Sequence, residues 1–437
     1  MAPSQFKMKS LNDNPCILQP RRSMHNQVFE NVHVAMDYLL ELERTSLAND
    51  PMRQNVPFVM SSHSSQKVGN PWSCYFNDAS EDQFVLTPLH SGRYSLKPNL
   101  RNRKFLFRGQ SAYYSICVPN LFRGSKEFFL DDMVYDQELY ILILSHPLCQ
   151  LFDQGFSING RLFRFEVNIY GLAQHYYNRT SLLDFTSSPE AAKFFAVTDY
   201  DKAGDRYIPV TTEGQEGCLY YYELDARNDF GVDARTGANR LSTIGLQVFP
   251  RSERQRGFLL NLEKGENLND TWTFPKVHCV KFLQHADISL DIVAGAKGGE
   301  IYFPDDILQR HWKHYNKDLK RVSLQAVRWN MKENPGETIN SIKSKLDRMF
   351  QVSVRNYQPA FTPEEIDEYY SQVRNGLWEQ FIERIYFPGD KDGALKEAFL
   401  RIPSHDEYRW AFEPDVPHQI DFRKGFLLSQ YGSFLHP

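Results

Sequence analysis

The amino-acid sequence predicts an α+β protein: a central mixed sheet flanked by an N-terminal helix and loop-rich region and by a mainly helical C-terminal region. Three observations carry this. Short β-branched or aromatic runs, each bounded by Gly or Pro, recur between Phe105 and Leu283. Helical periods lie between the first of these runs and the later ones, as a mixed sheet with intervening helices requires. After about Asp305 helix patterning dominates, with a clear start signal at Thr362. The length of 437 residues with 41% hydrophobic content suffices for a large core and two or three domains. Boundaries are expected at 1–98, 99–290 and 291–437.

In chain order, Val32, Ala35, Met36, Leu39 and Leu40 fall on one face of a 3.6-residue period, which predicts an amphipathic helix over Phe29 to Leu47. The turn-rich Ser61-Ser62-His63-Ser64-Ser65 and Gly69-Asn70-Pro71 predict a loop-rich connector ending near Pro98. Phe105-Leu106-Phe107-Arg108, closed by Gly109, reads as a buried strand meeting a turn. A helix is expected around Asp136 to Cys149. Further strands are expected at Cys218 to Leu224, Ile244 to Phe249, Gly257 to Leu260 and Val277 to Leu283. Tyr220, Tyr221 and Tyr222 then alternate between the core and a helix-facing surface. In the last third, Thr362-Pro363-Glu364-Glu365 is a capping box with Pro at the first helical position, followed by one apolar face of Ile366, Tyr369, Tyr370, Val373 and Leu377.

Composition narrows the function classes. Fifty basic against 54 acidic residues give a net charge of -4, which supplies no global field for a phosphate backbone, so nucleic acid is an unexpected partner. The six cysteines show no CxxC pair and no zinc-type spacing. They read as reduced thiols of a cytoplasmic protein, and no metal is expected. The longest apolar run, Leu139 to Leu144, is too short to span a bilayer, and the start carries no secretory pattern.

No phosphate loop, GxGxxG, HExxH or GxSxG is present, which removes the commonest kinase, Rossmann and hydrolase readings. What stands out is the dense run from Ala173 to Ala196. Within it Ser188-Pro189-Glu190 is a helix start: a hydroxyl at the N-cap, Pro at the first position and a carboxylate against the dipole. Ala192, Phe195 and Ala196 give that helix a thin face for close packing. The hydroxyls before it meet a positive helix terminus, a place suited to anionic groups, although Ser188 as a plain cap and Asp184 as a turn residue would satisfy the same pattern.

Five blocks in order now carry a resemblance: Phe107-Arg108-Gly109-Gln110; Gln174-His175-Tyr176; Leu182-Leu183-Asp184-Phe185-Thr186 with Pro189 and Phe195-Ala196; Tyr222-Glu223-Leu224; and Arg251 with Gln255 and Gly257. Over about Lys104 to Leu290 the chain resembles the FRG domain, named for its Phe-Arg-Gly triplet. Where that family usually continues Gly-Leu-Pro-Thr-Arg after Gln-His-Tyr, this chain has Tyr177-Asn178-Arg179-Thr180-Ser181, so serine stands at 181 where arginine is expected and Arg179 is the nearest substitute.

More distantly, the Arg108-Gly109 strand and the Thr186-Ser187-Ser188 strand end opening an Ala-x-x-Phe-Ala helix are similar to two blocks of the arginine-type ADP-ribosyltransferase fold. That resemblance implies a nucleotide cleft that takes NAD as substrate. Arg108 would hold pyrophosphate bidentately, Gly109 would admit the nicotinamide amide and Ser187 would orient the ribose. Gln110, Gln174, Thr186 and Arg251 complete the expected binding set. The position of that fold's catalytic glutamate falls on Gln255, and an amide cannot stabilise an oxocarbenium-like sugar as a carboxylate does. Glu253, two residues away, is the nearest replacement if a strand register keeps both on one face.

His175 and Asp184 form an acid–base constellation, with a packing histidine and a nucleotide-stacking ring as the other readings of His175. For Arg108 an ion pair with Asp184 or Glu223 competes. The expectation is an ADP-ribosyltransferase-like transferase or NAD glycohydrolase. Against it stand a non-catalytic recognition module, with protein partners at the C-terminal helices, and a His175/Asp184 nuclease, for which no second carboxylate cluster is evident.

Overall fold

The computed structural model describes residues 28–49 and 79–404, except 81, 90–91, 101, 124–129, 159, 177–179, 225–239, 317–319 and 357–359. Its elements begin β1 (Val28–Phe29), α1 (Val32–Ala48), β2 (Phe84–Pro88), β3 (Tyr94–Pro98), β4 (Phe105–Gln110), α2 (Leu130–Ser145), α3 (Pro147–Gln154), β5 (Phe156–Ile158), β6 (Arg161–Phe163), α4 (Ile169–His175), β7 (Leu182–Thr186) and α5 (Pro189–Ala196). They continue through β8 (Thr198–Asp201), β9 (Arg206–Pro209), β10 (Glu216–Glu223), β11 (Leu241–Thr243), α6 (Pro250–Arg254), β12 (Gly257–Asn261), β13 (Val277–Leu283) and α7 (Ala286–Gly295). The last third holds α8 (Ile307–Asn316), β14 (Arg321–Ser323), α9 (Leu324–Glu333), α10 (Ile339–Phe350), β15 (Ser353–Arg355), α11 (Pro363–Gln372), α12 (Trp378–Glu383), β16 (Ile385–Tyr386) and α13 (Ala394–Leu400).

Among the described residues a seven-stranded mixed sheet runs β1-β13-β10-β4-β7-β12-β11, with β1 parallel to β13 and the remaining neighbours antiparallel. Because successive side chains leave a strand on opposite faces, the sheet builds two cores. Phe105, Phe107, Leu219, Tyr221, Val280 and Phe282 pack under α1 and α5. Leu106, Leu183, Phe185, Tyr220, Tyr222, Phe258 and Leu260 fill the other face. The tyrosine triplet of β10 thus alternates as expected, with both of its faces buried.

Helix α1 starts on Asn31, whose side chain accepts from the N–H groups of His33 and Val34, and it buries Val32, Ala35, Met36 and Leu39. Near its end the buried Glu43 accepts from the backbone N–H of Lys104 (2.6 Å) and Phe105 (2.9 Å) and pairs with Arg103 at 3.0 Å. This carboxylate ties α1 to the start of β4, because its charge is met by three donors.

A third core joins α2, α3, α4 and the hairpin β2–β3 to the C-terminal helices, and β16 extends that hairpin in parallel to β2. Several expectations change here. The connector before Pro98 contains this hairpin, while Ser61 to Ser65 and Gly69 to Pro71 lie outside the described residues. The helix expected over Asp136 to Cys149 is two helices, since His146 is extended (φ -66, ψ 130) and Pro147 opens the second. Ile244 to Phe249 is a turn rather than a strand: Gly245 has φ +73, and a Cβ there would lie 2.0 Å from the Leu96 carbonyl oxygen. The C-terminal region is mainly helical, and the Thr362 capping box forms with both reciprocal bonds. No described helix is long and apolar enough to cross a membrane.

Candidate functional site

Strands β4 and β7 are neighbours in the sheet yet share a single registered pair, Phe107 with Thr186. Beyond it they part, and a cavity of about 210 Å³ opens between Arg108 and Gly109 on one bank and Asp184 and Phe185 on the other. Gln174 and His175 from α4, Thr186 and Gln255 add polar walls. Phe195, Tyr207 and Phe303 add aromatic ones, with Tyr207 stacked on Phe303 at 4.6 Å and 19°. A larger depression of about 630 Å³ lies at Val373, Trp378 and Leu400. It contains no unpartnered buried polar side chain among the described residues, so the smaller cavity is the candidate site.

The local sequence dictates this geometry. A Cβ at Gly109 would fall 2.0 Å from the Ala192 carbonyl oxygen and 2.5 Å from the Ala196 nitrogen, so only glycine lets α5 lie against β4. The thin face of Ala192 and Ala196 meets it, while Phe195 turns to the cavity. Ser188 caps α5 by accepting from the Ala191 N–H at 3.2 Å. Thr186 accepts from the Ser188 N–H at 2.9 Å and donates to the Gln255 carbonyl at 2.6 Å, which fixes the turn between β7 and α5. Gly257 leaves room for the imidazole, since a Cβ there would lie 2.9 Å from His175 Nε2.

Arg108 donates through Nη1 to the backbone carbonyl of Asp184 at 2.9 Å and makes no ion pair among the described residues. The Asp184 carboxylate is oriented from the other side: Gln174 Nε2 donates to its Oδ2 at 2.9 Å, and Thr180 donates to Gln174 Oε1. Arg108 Nε, Asp184 Oδ1 and His175 Nε2 are screened from solvent and find no hydrogen-bond partner among the described residues. Burial holds the His175 imidazole below its ordinary range, with the Asp184 charge and the Gln255 amide pulling upward and Arg251 pushing down, so the ring is neutral at pH 7.

The structure gathers Arg108, Gly109, Gln174, His175, Asp184, Thr186 and Gln255 around the cavity. The other candidates stand elsewhere. Gln110 does not line the cavity and lies with the thiols of Cys117 and Cys218 at 3.7 and 3.9 Å. Ser187 is buried and does not line the cavity. Arg251 is fully buried behind it, donating to the His175 carbonyl at 3.0 Å, facing Asp306 at 3.7 Å and lying 4.4 Å over the Tyr176 ring. Glu253 is on helix α6 rather than a strand and pairs with Arg384, so the register argument for it fails. The Gln255 amide donates to the Tyr302 carbonyl at 3.1 Å. Arg179 lies outside the described residues, and Ser181 donates to Asn261 Oδ1 at 2.7 Å. Tyr207 and Phe303 carried no local signal in the sequence and reach the site only through the fold.

Outside the cavity, Glu213, His285 and Asp287 bring potential metal-ligand atoms within 4.8 Å of one another at the start of α7. Glu213 there accepts from the Ala286 N–H at 2.7 Å and pairs with His285, so these groups serve the helix start.

Neither a curated protein nor a solved structure matches the chain. A family model does match, over residues 103–205, and this span holds three of the five sequence blocks and both banks of the cavity. Residues 103–205, the part of the chain that opens the sheet between β4 and β7, match the model of the FRG domain.

Proposed function

We propose that this cavity binds NAD or a related nucleotide and that the protein acts on it as an ADP-ribosyltransferase-like transferase or NAD glycohydrolase. One observation carries the reading: unpartnered buried polar atoms of Arg108, His175 and Asp184 border one hollow rimmed by aromatic rings. An unmet buried polar atom costs about 1–3 kcal/mol, so a fold that keeps three beside one cavity is built to meet them with a ligand. A hollow of about 210 Å³ is below the usual range for a whole drug-sized ligand. It suits the nicotinamide riboside half of the dinucleotide, with the remainder running outward past Arg108.

The test is titration of NAD into the full chain together with chromatographic detection of released nicotinamide. Wild-type protein should bind and release, and Arg108→Ala should lose both. Absence of binding and release in the wild type ends the reading. A second reading, a non-catalytic recognition module, is favoured by the amide at 255, and binding without release would select it.

A further inference from the structure

The position that the resemblance assigns to a catalytic glutamate is occupied by Gln255, whose amide is engaged by the Tyr302 carbonyl, and the neighbouring Glu253 is held by Arg384. Among the described residues that line the cavity, the one carboxylate is Asp184, on β7. We propose that Asp184 is the catalytic carboxylate of this site and that His175 is its proton acceptor, so that the acid stands on β7 rather than at the end of α6, where Gln255 lies. This rests on the nucleotide reading above.

The geometry gives each group a task. Asp184 Oδ2 is fixed by Gln174, itself held by Thr180, which leaves Oδ1 without a protein partner. That oxygen can face the positive charge that develops on the ribose as the C1′–N bond breaks. The bonding pair leaves with nicotinamide, which departs as a neutral pyridine. Water then forms the new C1′–O bond, and its proton passes to the unpartnered Nε2 of His175 and on to solvent. Burial keeps that ring neutral and able to accept. The balance is NAD and water giving ADP-ribose, nicotinamide and a proton, with no redox partner. The guanidinium of Arg108, anchored on the Asp184 backbone rather than on its carboxylate, leaves the carboxylate charge uncompensated by an ion pair.

The experiment measures NAD affinity and nicotinamide release in parallel on the full chain. Asp184→Asn, which keeps an oxygen to accept from Gln174, should lower release by about a hundredfold or more while NAD affinity stays within about threefold. Asp184→Asn releasing within tenfold of wild type overturns the proposal. Where that variant does not fold, Asp184→Ser, which replaces the carboxylate by a smaller neutral hydroxyl, is read in the same way. Wild-type protein that binds NAD without releasing nicotinamide overturns the proposal and leaves the binding site standing. Wild-type protein that does not bind removes the nucleotide reading itself.

Discussion

Two arginines lie on either side of His175, and their surroundings differ in kind. Arg251 sits in a sealed pocket, donating to the His175 carbonyl, facing the buried Asp306 and stacked over Tyr176, whose hydroxyl donates to Asp306 at 2.5 Å. Arg108 faces a hollow, anchored by one bond to a backbone carbonyl and keeping its Nε without a partner. The same residue type thus lies beside a buried carboxylate and an aromatic ring in one place and borders a cavity in the other. What separates the two arginines is that the fold sets a buried counter-charge beside Arg251 and an open hollow beside Arg108, which residue identity alone does not reveal.

The contrast can be broken by measurement. Arg251→Ala strands Asp306 in the core, and removing one partner of a buried pair costs about 3–5 kcal/mol, read as a loss in the free energy of denaturant unfolding. Arg108→Ala should lose no more than about 1.5–3 kcal/mol, the value of one hydrogen bond from a charged donor. Equal losses would erase the distinction. Next in size, Gly109→Ala drives a methyl group into the Ala192 carbonyl and should destabilise by about 1–3 kcal/mol or more while loosening the bank that carries Arg108. Unfolding free energy and ligand affinity should fall together in that variant.

The smallest effect sharpens the comparison in the helical core. His146 is buried among Phe249, Phe361 and Tyr369, and burial, with a smaller contribution from His311, pushes its pKa down to about 3. Its folded pKa lies below the unfolded value near 6.5, so as pH falls the unfolded chain takes up the proton first. Stability from this group is complete above 6.5 and is lost progressively toward about 3. Between pH 6.5 and 5.5 the loss should be about 1 kcal/mol, and His146→Gln should remove that part of the slope.

Much of this fold is legible where local chemistry decides it. The Ser188-Pro189-Glu190 start, the Thr362 capping box and the apolar strands β4, β10 and β13 follow from caps and period. The hairpin β2–β3 is missed because Pro88, Ser95 and Pro98 carry turn signals, while what makes it a strand pair is burial against β16 and the C-terminal helices. Ile244 to Phe249 looks like a strand because its apolar residues are buried, yet Gly245 turns the chain against β3. At the site, Arg108, Gln174, His175 and Asp184 are visible as a cluster of polar types. The separation of Glu253 from the cavity depends on Arg384, 131 residues later, and no local pattern encodes that partner. Tyr207 and Phe303 are absent from the reading for the same reason.

The place of β4 and β7 in the sheet has a consequence for anyone trimming this protein. Each is an interior strand, β4 flanked by β10 and β7 by β12, and both flanking strands come after residue 205. A fragment cut at the limits of the family match would keep both banks of the cavity but bare the backbone of each along its outer edge. It would also shed Tyr207, Gln255 and Phe303 from the walls. The smallest autonomous unit able to present this pocket must therefore reach at least to Phe303, well past the stretch by which the family is recognised.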